Sequence, residues 1–163
     1  MEWSNNVNPI KNKFAYYDVA IIKLYAEVSS TIPLPKIRCN IDIEKLPGTN
    51  VMTGGWGKME NGQVPINMRI GTLVVIPQEQ CSVPVKKVYF CTSASIVCLT
   101  NGDSGSPLVM SDGKTIIGIN KASCTPEQGA SSSSSSSSSS NLINVHTSLK
   151  FAGKFIHEVN QME

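Results

Sequence analysis

Long apolar runs are missing from this sequence. None approaches the roughly 18 residues that a membrane-spanning helix requires, so no membrane segment is expected. Charge is also sparse. Charged residues make up 16% of the chain, below the usual ~25%. The 14 basic and 12 acidic residues leave a net charge of +2 and are spread along the sequence. No basic stripe forms, which argues against nucleic acid as a partner. The cysteines lack the paired spacing of a zinc site, so no metal or cofactor is expected. Met1-Glu2-Trp3-Ser4-Asn5-Asn6 has no positive start followed by an apolar stretch, and so is not a signal peptide. Either the protein is intracellular or its true start lies upstream of Met1.

What is present suffices for a domain with a real core: 163 residues, 40% of them hydrophobic. Five cysteines occur, Cys39, Cys81, Cys91, Cys98 and Cys124. In an oxidised protein, an odd count suggests two bridges and one leftover thiol free to pair with another chain. Five reduced, buried thiols in a cytosolic protein is the alternative. Val19 to Leu24 is apolar and rich in β-branched residues, and reads as a buried strand. Residues 28–50 hold Pro33, Pro35, Pro47 and Gly48 with little apolar periodicity, a linker composition. Strands are expected from Val51, over Ile70 to Ile76, over Pro107 to Met110 and over Thr115 to Ile119. Ser111-Asp112-Gly113 between the last two signals a hairpin turn. Short strands separated by turn signals point to a barrel or sandwich.

Pro77 to Val85 has room for a short helix. At the end of the chain, Ala152, Phe155, Ile156 and Val159 recur at i, i+3, i+4 and i+7, one helix face, with Thr147 or Ser148 able to cap it. Ser131 to Ser140 is an unbroken run of ten serines that cannot bury surface. It reads as a flexible surface loop or as a stand-in for unread residues.

The stretch that carries chemistry is Asn101-Gly102-Asp103-Ser104-Gly105-Ser106-Pro107. A serine hydroxyl is a poor nucleophile until it is activated. Its attack on a carbonyl also needs backbone N–H donors aimed at the oxyanion that forms. Gly102 and Gly105 beside Ser104 permit a tight turn and close approach of a substrate. Alone, the segment reads equally well as an ordinary Gly/Asp/Ser turn between strands. It is not the G-x-S-x-G elbow of α/β-hydrolases, because Ser106 occupies the fifth position. Upstream, Tyr16-Tyr17-Asp18-Val19-Ala20-Ile21-Ile22-Lys23-Leu24 sets a carboxylate directly before the apolar run. Asp18 there is either a strand-end turn residue or a partner for a buried imidazole. Gly54-Gly55-Trp56-Gly57 places a large aromatic in a glycine-rich strand.

With these three segments in this order, the chain resembles the trypsin/chymotrypsin family of serine endopeptidases from about residue 14 to residue 160. The resemblance implies an all-β, chymotrypsin-like double β-barrel with most of the first barrel missing and a C-terminal helix. Residues 1–27 would be the remnant of the first barrel, 28–50 the inter-barrel linker, and 51–163 the second barrel with its helix. It implies proteolysis of a protein or peptide substrate by Ser-His-Asp acyl transfer. Ser104 then looks like the nucleophile and Asp18 like the carboxylate that orients the histidine. The N–H groups of Gly102 and Ser104 look like the oxyanion hole. Asp103 looks like the partner of the N-terminal amine formed by zymogen cleavage; its plainer role is to cap a turn. Ile96, Lys121, Ser123 and His146 fall around the substrate pocket. Cys81 with Cys91, and Cys98 with Cys124, match family disulfides. Cys39 sits where many members link to a light chain or propeptide. The bridges imply an oxidising, extracellular compartment, with a signal peptide upstream of this chain.

The pattern also fails in places. The family's histidine precedes the Asp strand, yet none of the 17 residues before Asp18 is a histidine. Of the two present, His146 stands where the family usually has a tyrosine under the specificity pocket, and His157 reads as a half-exposed helix residue. The Ile-Val-Gly-Gly-like activation sequence is absent, which leaves Asp103 without an amine. A lone first-barrel strand exposes apolar surface and an unpaired edge. Two extra residues separate Cys98 from Gly102-Asp103-Ser104; anchoring on Cys98 puts Ile96 at the pocket floor, against Arg/Lys specificity. Lys121 falls where the family has a serine beside its buried Asp. It is expected to point to solvent; the alternative is to pair with Asp18 and compete with a histidine. The leading reading is thus a secreted serine endopeptidase in an incomplete chain without its catalytic histidine. The alternative is a non-catalytic homologue acting as a binding module or decoy. An unrelated esterase using Ser104 has the least support.

Overall fold

The computed structural model describes residues 18–81, 88–94, 97–126 and 142–161, the side chains of 122–126 and 160 excepted. Seven strands form one sheet: β1 (Lys36–Ile37), β2 (Asn50–Gly55), β3 (Arg69–Val74), β4 (Tyr89–Ser93), β5 (Pro107–Met110), β6 (Thr115–Pro126) and β7 (Leu142–Ser148). One helix, α1 (Leu149–Asn160), follows. The strands run in the order β3-β2-β5-β6-β7-β4, and β1 adds to β6 in parallel. A bridge between Val75, just past β3, and Thr92 of β4 joins the two ends of that order, so the sheet curls round on itself.

Alternation explains the inner face. In β2, Val51 and Thr53 are buried while Met52 and Gly54 are only half-buried. Val51, Leu73, Val75, Phe90, Leu108 and Ile117 make one core cluster; a second gathers Val88, Tyr89, Ile143, Val145 and the Cys81 and Cys91 sulfurs. The β5–β6 turn is built by Asp112, whose carboxylate accepts the N–H groups of Lys114 and Thr115 at 2.8 Å and the Thr115 hydroxyl at 2.6 Å. Those bonds, the Thr115 hydroxyl foremost, hold its carboxyl down to about 2. Gly113 takes the left-handed φ of 68° that completes the turn.

The expected strand over Val19 to Leu24 does not form. Residues 19–24 carry no strand pairing, and Ile21, Ile22 and Leu24 are exposed. A strand needs a neighbour for its backbone groups, and no described strand lies beside this one. The stretch 28–50, read as a linker, carries some structure of its own. It contributes β1 and a short 3-10 turn at Ile43–Lys45, and Leu46 is buried in the first core cluster. The helix expected over Pro77 to Val85 is a single 3-10 turn at Gln78–Gln80, with 82–87 outside the described residues. The ten-serine run lies outside them as well. Helix α1 begins where expected, at Ser148, but no side-chain bond caps it; the Thr147 and Ser148 hydroxyls are buried without a partner among the described residues. Among the described residues no helix is long and apolar enough to cross a membrane.

Cys81 and Cys91 form a disulfide across a separation of 10 residues. Closing so short a loop removes little chain entropy, so replacing both with alanine is expected to cost about 2–3 kcal/mol. A urea titration checks this; an unchanged midpoint would mean that the bridge constrains nothing. Cys98 is disulfide-bonded too, and the side chain of Cys124, its expected partner, falls outside those described. Cys39 is a free, half-buried thiol whose pKa is raised by burial. It packs on α1, where a Cβ at Gly153 would come within 2.8 Å of the Cys39 Cβ.

Candidate active site

The turn between residues 100 and 106 is clipped to its neighbours at several points. Gly102 has φ 106°, and a Cβ there would meet the Gly57 backbone at 3.2 Å, so the position suits glycine twice over. Asp103 accepts the Gly57 N–H at 2.8 Å on one oxygen and the Thr100 N–H at 2.9 Å on the other. The Thr100 hydroxyl donates to the Lys58 carbonyl at 2.6 Å, and the Lys58 N–H to the Asn101 carbonyl at 3.0 Å. On the far side, the Gly105 N–H donates to the Asn120 carbonyl and the Asn120 N–H to the Ser106 carbonyl. The turn is thereby held between the Gly-Trp-Gly segment and β6, and it presents an exposed Ser104. Among the described residues, the N–H groups of Gly102 and Ser104 make no backbone hydrogen bond.

The Ser104 hydroxyl donates to the Lys121 carbonyl at 3.1 Å. The Lys121 side chain does not point freely to solvent as expected. Its ammonium is ion-paired with Asp18 and stands 4.8 Å from the centre of the Tyr89 ring. Burial opposes the charge on Lys121, but its bonds to Asp18 and Tyr89 outweigh that, and its pKa is raised. The acidic partner and the aromatic face account for the unexpected orientation.

His146 is completely buried, so its ring reaches no substrate directly. Its Nδ1 lies 3.0 Å from Asn120 Oδ1 and its Nε2 2.9 Å from the Thr92 hydroxyl. The Asn120 amide donates to the Thr53 hydroxyl at 2.7 Å, which donates in turn to the Pro107 carbonyl at 2.8 Å. This order fixes the tautomer: Nδ1 carries the proton and Nε2 accepts from Thr92. Asn144 holds the other side, accepting the Leu99 N–H and donating to the Val97 carbonyl, each at 2.9 Å. Desolvation drives the His146 pKa down to about 3. The result is a buried polar chain whose ends reach Pro107, beside the serine turn, and residues 97–99.

Asp18 and Ser104 each contact Lys121, one at its ammonium and the other at its carbonyl; His146 and His157 contact none of the three among the described residues. His157 lies exposed on α1. Ile96 and the Ser123 side chain fall outside the described residues. A cavity of about 190 Å³ opens behind the turn, lined by Gly55, Gly57, Arg69, Val97, Thr100 and Asp103 among others, but not by Ser104 or Lys121. Sequence reasoning missed Thr53, Thr92, Thr100, Asn120 and Asn144. The alternation of Asn144, His146 and Ser148 along β7 was the only signal available, and it does not name the partners.

The curled sheet thus presents a glycine-flanked serine on a turn tied to β6, and Lys121 of that strand touches both Ser104 and Asp18. The Trypsin family model matches residues 2–144, and the chain belongs to that family. Solved structures with the same fold include neuropsin, a serine protease expressed in the limbic system of mouse brain, at TM-score 0.61 and 18% identity, covering 83% of this chain and 57% of that one. GrC matches at TM-score 0.60 and 23% identity, with 83% and 56% covered. A mutant of human heparin binding protein matches at 0.56 and 23%, with 83% and 55% covered. The chain thus spans little more than half the length of these structures, and it shares with them the chymotrypsin-like fold.

Proposed function

We propose that this chain is the serine-bearing part of a secreted serine endopeptidase acting on protein or peptide substrates. The observation that carries the reading is the exposed Ser104 on a turn pinned by Asp103, with the Gly102 and Ser104 N–H groups unengaged by backbone among the described residues. Ser104 attacks the substrate carbonyl, and those two N–H groups receive the oxyanion. Asp18 orients an imidazole that neither His146 nor His157 supplies. Asp103 takes the amine formed by zymogen cleavage. Ile96 and Ser123 line the substrate pocket. Residues 1–27 belong to the first barrel, 28–50 link it, and 51–163 form the second barrel. The Cys81–Cys91 bridge fits an oxidising, extracellular setting, and the free Cys39 is the point for a light chain or propeptide.

Without a base on Ser104, purified chain is expected to hydrolyse peptide substrates at no useful rate. A site missing one triad member keeps only roughly 10³–10⁴-fold over water, even when the oxyanion hole and substrate binding survive. Clear hydrolysis by the purified chain that Ser104→Ala abolishes would overturn that expectation. The native protein, recovered with whatever accompanies it, tests the function itself: a fluorophosphonate probe labels Ser104 of a working enzyme. A non-catalytic binding module stays unlabelled. One observation favours this second reading, namely that Lys121 already occupies Asp18.

A further inference from the structure

We infer that Lys121 is a positioning residue that keeps the site closed to a base, holding both of the groups an imidazole would have to engage. The inference rests on the proposed roles of Ser104 and Asp18. Its main-chain carbonyl accepts the Ser104 hydroxyl at 3.1 Å, and its ammonium pairs with the Asp18 carboxylate. The Ser104 contact is made to main chain, and the Lys121 side chain that reaches Asp18 is largely covered. The backbone is fixed one residue earlier, where Asn120 exchanges two hydrogen bonds with Gly105 and Ser106 at 2.8 and 2.9 Å. The Lys121 side chain is 23% exposed, and its ammonium sits 4.8 Å from the ring centre of the buried Tyr89. The charge is kept at neutral pH, because the Asp18 and Tyr89 contacts outweigh burial. Lys121 therefore serves as a cation and not as a base for Ser104. An imidazole entering between Ser104 and Asp18 has to take the hydroxyl from a carbonyl and the carboxylate from an ammonium. Losing the ammonium alone frees Asp18 to stabilise an imidazolium.

The test uses the full chain, a fluorophosphonate probe and free imidazole as the added base. In the labelling step the Ser104 Oγ–P bond forms, fluoride leaves, and the hydroxyl proton passes to imidazole. Lys121→Met keeps the length and apolar stem but removes the charge. In imidazole it is expected to label roughly tenfold faster than the unaltered chain. Lys121→Arg keeps the pair and stays at the unaltered rate. Adding Asp18→Asn to Lys121→Met removes the gain, because the imidazolium then has no carboxylate. Lys121→Gln serves in place of Lys121→Met if the latter folds poorly. Equal labelling of the unaltered chain and the uncharged variants, with Ser104 labelled in both, overturns this inference alone. If Ser104 labels in no variant, its reading as the nucleophile falls, and the inference falls with it.

Discussion

Acid is expected to unfold this protein chiefly through His146. The unfolded chain binds a proton on this imidazole near pH 6.5, whereas the folded chain refuses it down to about pH 3. Between those values unfolding takes up a proton, so stability is complete above about 6.5 and falls as the pH drops through the window. The slope approaches about 1.4 kcal/mol per pH unit. The loss is about 3 kcal/mol by pH 4, and up to ~5 kcal/mol at the low end, which is a large share of a domain's stability. No ionisable group touches the ring to relieve it among the described contacts: Thr92, Asn120 and the Phe90 ring, 5.4 Å away, are its neighbours. Carboxylates titrate in part of the same range, so the comparison is with His146→Gln, whose amide has no proton to gain. Urea midpoints measured from pH 7.5 to 4 are expected to fall much more steeply for the histidine chain. Parallel curves would show that His146 is protonated as easily in the fold as out of it. Because the same chain of bonds reaches Pro107 through Asn120 and Thr53, loosening of the serine turn is expected to accompany the loss.

The buried polar chain also explains which strands the sequence concealed. Apolar runs flagged β2, β3, β5 and the start of β6, and periodicity flagged α1. Strands β4 and β7 escaped because they bury Thr92, Asn144 and His146 where a periodic reading looks for apolar residues. Those side chains are tolerated inside because each finds a partner on another strand, and partners between 26 and 54 residues away cannot be read from local pattern. Val19 to Leu24 is the converse. The run has the composition of a strand, but composition does not supply a neighbour, and Ile21, Ile22 and Leu24 lie exposed. At the site, motif order pointed to Ser104, Asp103 and Asp18. Lys121 was misjudged because an isolated surface lysine usually prefers water, and only the fold sets Asp18 and the Tyr89 ring in its reach.

The Gly-Trp-Gly segment was legible as a motif, but the need for its glycines is visible only in three dimensions. Replacing Gly57 by alanine is expected to cost about 3–5 kcal/mol, combining overpacking with the loss of bonds to a charged group. A Cβ at Gly57 would fall 2.3 Å from Asp103 Oδ2 and 2.4 Å from its Cγ. At Gly55 it would fall 2.2 Å from Oδ1. A carboxylate at the end of a free side chain would swing away cheaply. This one is held by the N–H groups of Gly57 and Thr100, so moving it breaks both bonds and releases the turn that carries Ser104. Gly54 is the control: its Cβ would meet the flexible Met68 sulfur at 3.2 Å, so Gly54→Ala is expected to cost much less. Asp103→Ala supplies the decisive comparison. It removes the group that Gly57→Ala displaces, so in the double variant the two costs are expected to overlap and fall well short of their sum. Urea titrations of the four chains measure this. Fully additive costs would mean that Gly57 and Asp103 act independently, and the account of how the Ser104 turn is held would have to be abandoned.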